Sequence, residues 1–289
     1  MVLQNGSADA SVYPNLNIGS LVIEGKLHNE ISLGCQDACH LVQSSDLKVA
    51  VVCDGCSTTD LGFTQNQTGA ILGAYCWSNF LAKALRDSNK LDDLLFEKAL
   101  RITSNRTKSF FIKLCKGLDL AFPSNEWRDF VLNKLLFTVL GFAVVRNRYW
   151  VFGLGDGCFG INNDVTPIDN SPTPYFNQLL LEKNRSQKLK VVIHTSGEIE
   201  TLKCLWVASD GLNDVLSSST GKKDFSNFLK DEFTCGRNKK GEDTTIQAFR
   251  RTVYKHHLRR FSDDIALALV KIDTTATLNL GNTEGEKDE

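Results

Sequence analysis

The sequence predicts an α+β fold, antiparallel β-sheets with helices packed outside them, and three observations carry that expectation. Short runs rich in β-branched and aromatic residues recur as GSLVIEG, DACHLVQ, LKVAVVCDG, TVLGFAVV, RYWVFGLGDG, LKVVIHTSG, CLWVASDG and DIALALVKI. Longer stretches with helical spacing lie at about 65–87, 91–117, 125–136 and 243–257, in blocks and not after every strand. Most of the strand-like runs follow one another through short connections, whereas a doubly wound parallel sheet needs a helix in each crossover.

Taken in order, the first helical stretch can bury one face made of Ile71, Leu72, Tyr75, Phe80 and Leu81 with Ala74 and Ala82. After Asp156, CFGINND reads as the return strand of a hairpin. After Asp54 and Asp210, CSTTDLGFTQNQTGA and LNDVL read as loops running into helices. The stretch at 243–257 ends in His256 and His257, where a cation favours the helix dipole.

The chain has 289 residues, 42 % of them apolar and 23 % charged, which is enough for a sizeable core. Its 33 Lys and Arg against 34 Asp and Glu leave a net charge of −1, so no general attraction to nucleic acid or to an anionic membrane is expected. No apolar run approaches the ~20 residues needed to span a bilayer, and the N-terminus does not read as a secretory signal. Nine cysteines, an odd number with several inside apolar runs, suit reduced thiols in a cytoplasmic protein. Residues 1–16 and the acidic 273–289 read as flexible tails around one domain over 17–272.

Three apolar runs end in the same dipeptide, at Asp54-Gly55, Asp156-Gly157 and Asp210-Gly211. Asp263 and Asp264 precede a fourth run, and Asp37 stands at the start of a fifth. Asp-Gly is a good turn dipeptide, and that explanation holds best at Asp156. It fails at Asp54 and Asp210, which no partner strand follows. Carboxylates beside apolar segments carry a desolvation cost unless something positive compensates, and a bound cation is the economical explanation. Carboxylate oxygens, with a glycine carbonyl close by, suit magnesium or manganese. Asp37, Asp54, Asp210 and Asp263 carry four negative charges, which two divalent ions neutralise. Two such ions about 4 Å apart activate a water and clamp a phosphoryl group, so the chemistry implied is metal-assisted phosphoester hydrolysis.

These segments resemble, in order, the motifs of the metal-dependent protein serine/threonine phosphatases of type 2C, the PPM family. CQDA resembles the first acidic motif and VAVVCDGCS the strand ending in Asp-Gly. Thr138 in FTVLGFAVV resembles the threonine of the Gly-Thr-Thr-type motif, and GLGDGCF the Gly-Asp-Ser-Arg segment. LWVASDGLNDVL resembles the Ser-Asp-Gly motif and SDDIALALV the closing Asp-Asn motif. The short QDA form, with His28 upstream, is most similar to the compact bacterial branch. The resemblance implies an α/β sandwich of two antiparallel sheets flanked by helical pairs. It implies two manganese or magnesium ions and attack on phosphoserine or phosphothreonine by a water that bridges them. Asp54 would bridge both metals, Gly55 would offer its carbonyl, Asp210 and Asp263 would complete the first site, and Asp37 would hold metal-bound waters. Gln36, Thr138, Asp156 and Asp264 would stand behind these ligands, with a third, weaker metal as the other role for Asp156. The implied partners are phosphorylated proteins and a cognate Ser/Thr kinase or its substrates.

Three departures stand out. The arginine that grips the substrate phosphate is absent: Ser32 stands near its place, and Lys26 and His28 are the candidates to replace it. Gly157 and Cys158 fill the Ser and Arg positions of the Gly-Asp-Ser-Arg segment, and Asp264 replaces the usual Asn. These departures keep open a non-catalytic relative that acts as a phosphoprotein-binding or scaffold module. A two-metal nuclease would want a basic groove that this chain does not advertise. GDGCFG at 155–160 satisfies GxGxxG but lacks the helix a dinucleotide site needs. The cysteine pairs at 35/39 and 53/56 imitate zinc spacing, yet read as buried thiols. No cysteine has an arginine six residues on, which excludes the usual cysteine-phosphatase loop.

Overall fold

The structure, a computed structural model, describes residues 15–59, 62–86, 91–170, 173–181, 189–230, 244–257 and 261–273. The chain opens with β1 (Asn15–Ile23) and a short α1 (Lys26–Glu30), then forms β2 (Ala38–Gln43) and β3 (Leu47–Cys53). A small ribbon, β4 (Thr58–Thr59) with β5 (Gly62–Phe63), leads into three helices, α2 (Gln67–Arg86), α3 (Asp93–Gly117) and α4 (Asn125–Lys134). Four strands follow: β6 (Val139–Val145), β7 (Arg148–Leu154), β8 (Gly157–Ile161) and β9 (Asp164–Ile168). Then come β10 (Val192–Glu198), β11 (Cys204–Ala208), α5 (Gly211–Leu216), α6 (Ser219–Lys230) and α7 (Thr244–Phe249). The last helix continues through a π-helical turn, Arg250–Tyr254, to Lys255–His257, and β12 (Ile265–Asp273) closes the fold.

Two five-stranded antiparallel sheets form, one in the order β1-β12-β11-β8-β9 and the other β10-β7-β6-β3-β2. Alternation along each strand explains the layers. In β3, Val49, Val51 and Cys53 face α2–α4 while Ala50 and Val52 face the other sheet. In β11, Trp206 packs with Phe225, Phe228 and Phe249 of the second helical group, while Leu205 and Val207 point between the sheets. Both faces of the central strands are therefore covered, so they read as unbroken apolar runs. Asp92 and Ser124 cap α3 and α4 by accepting from Leu95 N (2.8 Å) and Trp127 N (3.0 Å). The expected sandwich of antiparallel sheets flanked by helices is the observed architecture.

Three expectations are corrected. The buried face of α2 keeps Ala74, Leu81 and Ala82 of the expected set but not Ile71 and Tyr75, which are 50 % and 54 % exposed; Ala70, Gly73 and Trp77 are buried in their stead. The helix lies so close that a Cβ on Gly73 would meet the Phe137 ring at 2.5 Å, which selects small residues on the inner face. The run after Asp156 is not a hairpin partner of β7. β8 pairs with β11 and β9 in the opposite sheet, so Gly155 and Asp156 carry the chain from one sheet to the other. Strand structure also reaches into both stretches read as tails, from Asn15 and up to Asp273, while residues 1–14 and 274–289 lie outside the described residues. Among the described residues, no helix is long and apolar enough to cross a membrane.

Candidate metal centre

The acidic residues meet at the rim where strands of both sheets end. Asp54 follows β3, and its backbone is clamped to Thr138: Asp54 N donates to Thr138 Oγ1 (3.1 Å) and Thr138 N donates to the Asp54 carbonyl (2.8 Å). Gly55 leaves no room for a side chain, since a Cβ there would lie 2.8 Å from the Gln36 carbonyl oxygen. Asp210 lies between β11 and α5, and Asp156 sits in the crossing from β7 to β8. Asp263 and Asp264 precede β12, their backbone held between Gly25 and Gly211. A Cβ on Gly25 would lie 2.3 Å from the Asp263 carbonyl carbon, and one on Gly211 2.0 Å from the Asp264 oxygen.

The carboxylates of Asp54, Asp156 and Asp210 can offer oxygens that all lie within 4.8 Å of one another. A second group, His28, Asp263 and Asp264, meets the same test. Asp37 is buried, and its Oδ2 accepts from Ser209 Oγ (2.5 Å) and from Ala266 N (3.0 Å). Burial pushes Asp37 up to about 8, with neighbouring Asp264 and Asp210 adding to the rise and the Ser209 hydroxyl opposing it. Asp54 is held well above the carboxylate range by burial first, then by Asp37, Asp210 and Asp263. Asp210 rises to about 7 through burial and the charges of Asp263 and Asp156. Burial also raises Asp263, opposed by its hydrogen bond from Asp264 N and by His28.

The donor set fits a hard divalent cation. Its atoms are carboxylate oxygens, the ligands magnesium and manganese prefer. Asp156 Oδ2 accepts from Thr173 Oγ1 (2.6 Å), but its Oδ1 is buried without a hydrogen-bond partner among the described residues, an arrangement that costs free energy until something positive meets it.

The other residues singled out from sequence fall in different places. Gln36 is fully buried, and its side chain joins Thr64 O (3.2 Å) to Asn66 N (2.8 Å), so it ties loops together. Asp264 is buried too; it accepts from Gly25 N (2.6 Å), Gln36 N (2.5 Å) and His28 Nδ1 (2.7 Å). His28 is not available to a surface phosphate: its ring is buried, with Nε2 3.2 Å from Ser57 Oγ and 3.6 Å from Asp263 Oδ1. Lys26 points outward and pairs with Glu30 at 3.4 Å. Ser32 is exposed in a left-handed conformation, φ 55°. Sequence reasoning missed Ser209 and Thr173 as partners of the aspartates. Ser209 stood beside Asp210 in a recognised motif, whereas nothing in the SPTPYF stretch pointed to Thr173.

Several solved structures with the same fold are bacterial phosphatases. The serine/threonine phosphatase Stp1 from Staphylococcus aureus superposes with a TM-score of 0.56 at 12 % identity, covering 92 % of this chain and 99 % of that one. The S. agalactiae serine/threonine phosphatase gives 0.54 at 14 % identity over 90 % of this chain and all 100 % of that one. The catalytic domain of the serine/threonine phosphatase PstP, solved in complex with two manganese ions, gives 0.51 at 12 % identity, covering 89 % and 99 %. No curated protein matches the chain. The family model described as protein phosphatase 2C matches residues 24–258, a span that holds Asp37, Asp54, Asp156 and Asp210, and the chain therefore belongs to that family of phosphoprotein phosphatases.

Proposed function

We propose that this chain hydrolyses phosphoserine and phosphothreonine in proteins, using two manganese or magnesium ions held among its aspartates. One observation carries the reading: Asp54, Asp156 and Asp210 converge within 4.8 Å while Asp156 Oδ1 stays buried and has no hydrogen-bond partner among the described residues. Like charges so placed are costly unless protonated or met by a cation. In this reading Asp54 and Asp210 are ligands, with the Gly55 carbonyl beside them, and Asp156 joins the ligands instead of standing behind them. Asp263 completes the set from the β12 side, and Asp37 orders the water around it.

When bound, the ions supply the charge that lowers the pKa of a water and neutralises phosphoryl oxygens during in-line displacement. The chain's own part is placement. The reciprocal Asp54–Thr138 hydrogen bonds hold the central ligand, and the two bonds on Asp37 Oδ2 fix that carboxylate's rotation. A thiol route is disfavoured, because burial raises Cys53 and Cys158 above the ordinary thiol range. Phosphoproteins are then the substrates, and a Ser/Thr kinase acting on the same proteins is the implied opponent. A cytoplasmic setting is supported by the eight cysteines among the described residues, all of them free thiols.

A second reading, a phosphoprotein-binding module without turnover, draws on the groups around the cluster: among the described residues, the charged neighbours acting most strongly on Asp54 and Asp210 are other aspartates. Turnover of a phosphothreonine peptide with manganese separates the two. The enzyme reading expects hydrolysis that EDTA abolishes; phosphopeptide binding without hydrolysis supports the module.

A further inference from the structure

The net charge of −1 hides a local excess on α3. Residues 98–117 hold six lysines and arginines and no acid. Arg101, Lys108, Ile112 and Lys116 follow one another at spacings of seven, four and four, so they form a stripe on one face of the helix. At 1.5 Å per residue the stripe is about 22 Å long. Arg101 and Lys116 are exposed and Lys108 is half-buried. Among the described residues none of the three cations makes an ion pair or a side-chain hydrogen bond, so their charges do not hold the fold together.

The stripe borders a groove. A hollow of about 310 Å³ lies between α3 and the 3-10 turn Phe176–Leu180, lined by Lys108, Lys116, Trp127, Leu179 and Leu180, with the 41 % exposed Phe122 beside them. A second hollow of about 400 Å³ is lined by Arg101 and Lys190 together with Leu100, Leu179 and Val191; Glu97 is the one acid there among the described residues. Lys108 and Leu179 line both hollows, which makes them one groove. Buried apolar side chains and exposed cations therefore share its walls. The wall opposite α3 is anchored: Trp127 Nε1 donates to the Leu180 carbonyl (3.0 Å), Asn177 Nδ2 to the Leu135 carbonyl (2.7 Å) and Phe176 N to the Phe137 carbonyl (2.7 Å). That wall also continues the chain that touches the metal centre. Thr173, whose hydroxyl donates to Asp156, precedes Leu179 by six residues, a stretch of at most about 20 Å.

We propose that this groove docks an acidic segment bearing large apolar side chains, carried by the phosphoprotein on which the metal centre acts. Carboxylates of the segment meet Arg101, Lys108 and Lys116, and its apolar side chains enter the two hollows. A nucleic acid offers phosphates but no aliphatic side chains for such hollows, and a bilayer surface is too flat to follow them. A phosphorylated residue a few positions from the docked segment is then held near the aspartates, which raises its effective concentration there. That use rests on the phosphatase reading; docking itself does not.

The test uses the full chain with manganese and a fluorescent peptide rich in Asp and Glu with two leucines, about eight residues long so that it spans the stripe when extended. Arg101→Glu, Lys108→Glu and Lys116→Glu combined should weaken its binding at least about tenfold, as should about 0.5 M salt. Serines in place of the peptide's leucines should weaken it by about as much. The combined variant should turn over a short phosphothreonine peptide without the acidic segment within about twofold of the wild-type rate. Joining the segment to that peptide through about six residues should lower the wild-type KM about tenfold and leave the variant's KM unchanged. Equal peptide affinity in wild type and folded variant overturns the inference, as does an affinity indifferent to the leucines. Tighter binding of single-stranded DNA or of phosphatidylserine vesicles through the same three residues also overturns it. Hydrolysis at a KM that the joined segment does not lower removes the docking and leaves the phosphatase reading. Groove-dependent binding without hydrolysis of any phosphopeptide leaves the docking and overturns the phosphatase reading. If the combined variant does not fold, Arg101→Gln with Lys116→Gln, both at exposed positions, decides by the same comparison.

Discussion

His28 Nδ1 lies 2.7 Å from Asp264 Oδ2, and the two side chains are only 4 % and 1 % exposed. With its bonds from Gly25 N and Gln36 N, Asp264 joins the start of α1, the loop before β2 and the start of β12. The hydrogen bond to Asp264 raises the His28 pKa against the opposing effect of burial, which favours a protonated ring beside a carboxylate where the resemblance expects a neutral Asn.

Removing one partner of a buried pair strands the other. His28→Ala should destabilise the protein by about 3–5 kcal/mol. The double change His28→Ala with Asp264→Asn should cost less than the two single changes summed, as denaturant unfolding of all four proteins will show. Strict additivity would mean the contact carries no coupling.

The metal-free protein should lose stability as pH rises. Asp37 and Asp210 titrate near 8 and 7 in the fold, against about 4 in the unfolded chain. Between those values the native state holds more protons than the unfolded one, so stability falls with pH. His28, also raised, acts with the same sign above its unfolded value. In EDTA the Tm should therefore drop between about pH 5 and 8, and manganese should reverse the trend by replacing the protons. A Tm in EDTA that climbs steadily over this range contradicts the assigned shifts.

Asp54→Asn, Asp156→Asn and Asp210→Asn should each lower manganese affinity and cut the hydrolysis rate by at least ~100-fold. In EDTA the same variants should melt at the wild-type temperature or above it, because one repelling charge is gone. Asp156 is the informative member. Normal manganese affinity in Asp156→Asn would return it to a position behind the ligands.

Gly155 has φ +115°, and a Cβ there would lie 2.5 Å from the Thr138 Cβ. Gly155→Ala should therefore push on the residue that clamps Asp54, lowering activity more than its loss of stability explains. Thr138→Val, which removes the acceptor for Asp54 N, should cost about 1–3 kcal/mol and slow turnover. Equal rates at matched folded fraction would show that the clamp does not matter.

Much of this architecture was legible because the chemistry is local. β3, β6, β7, β11 and β12 announce themselves as apolar runs, and the Asp-Gly ends of three of them mark the rim. What stayed hidden depends on contacts between distant segments. The inner face of α2 is set by how closely Gly73 approaches Phe137, which no period in the helix reveals. The path of Asp156 depends on β8 choosing β11 over β7. His28 looked like a surface candidate because its buried partner lies 236 positions away. Thr173 belongs to a stretch without pattern, and only the fold brings it to Asp156.

The central claim is that these aspartates bind the ions that drive phosphoester hydrolysis, and the initial rate on a phosphothreonine peptide as a function of manganese tests it most directly. The account predicts no turnover in EDTA, saturable recovery with added manganese, and no comparable recovery in Asp54→Asn. Turnover that survives chelation, or that Asp54→Asn leaves intact, would contradict it.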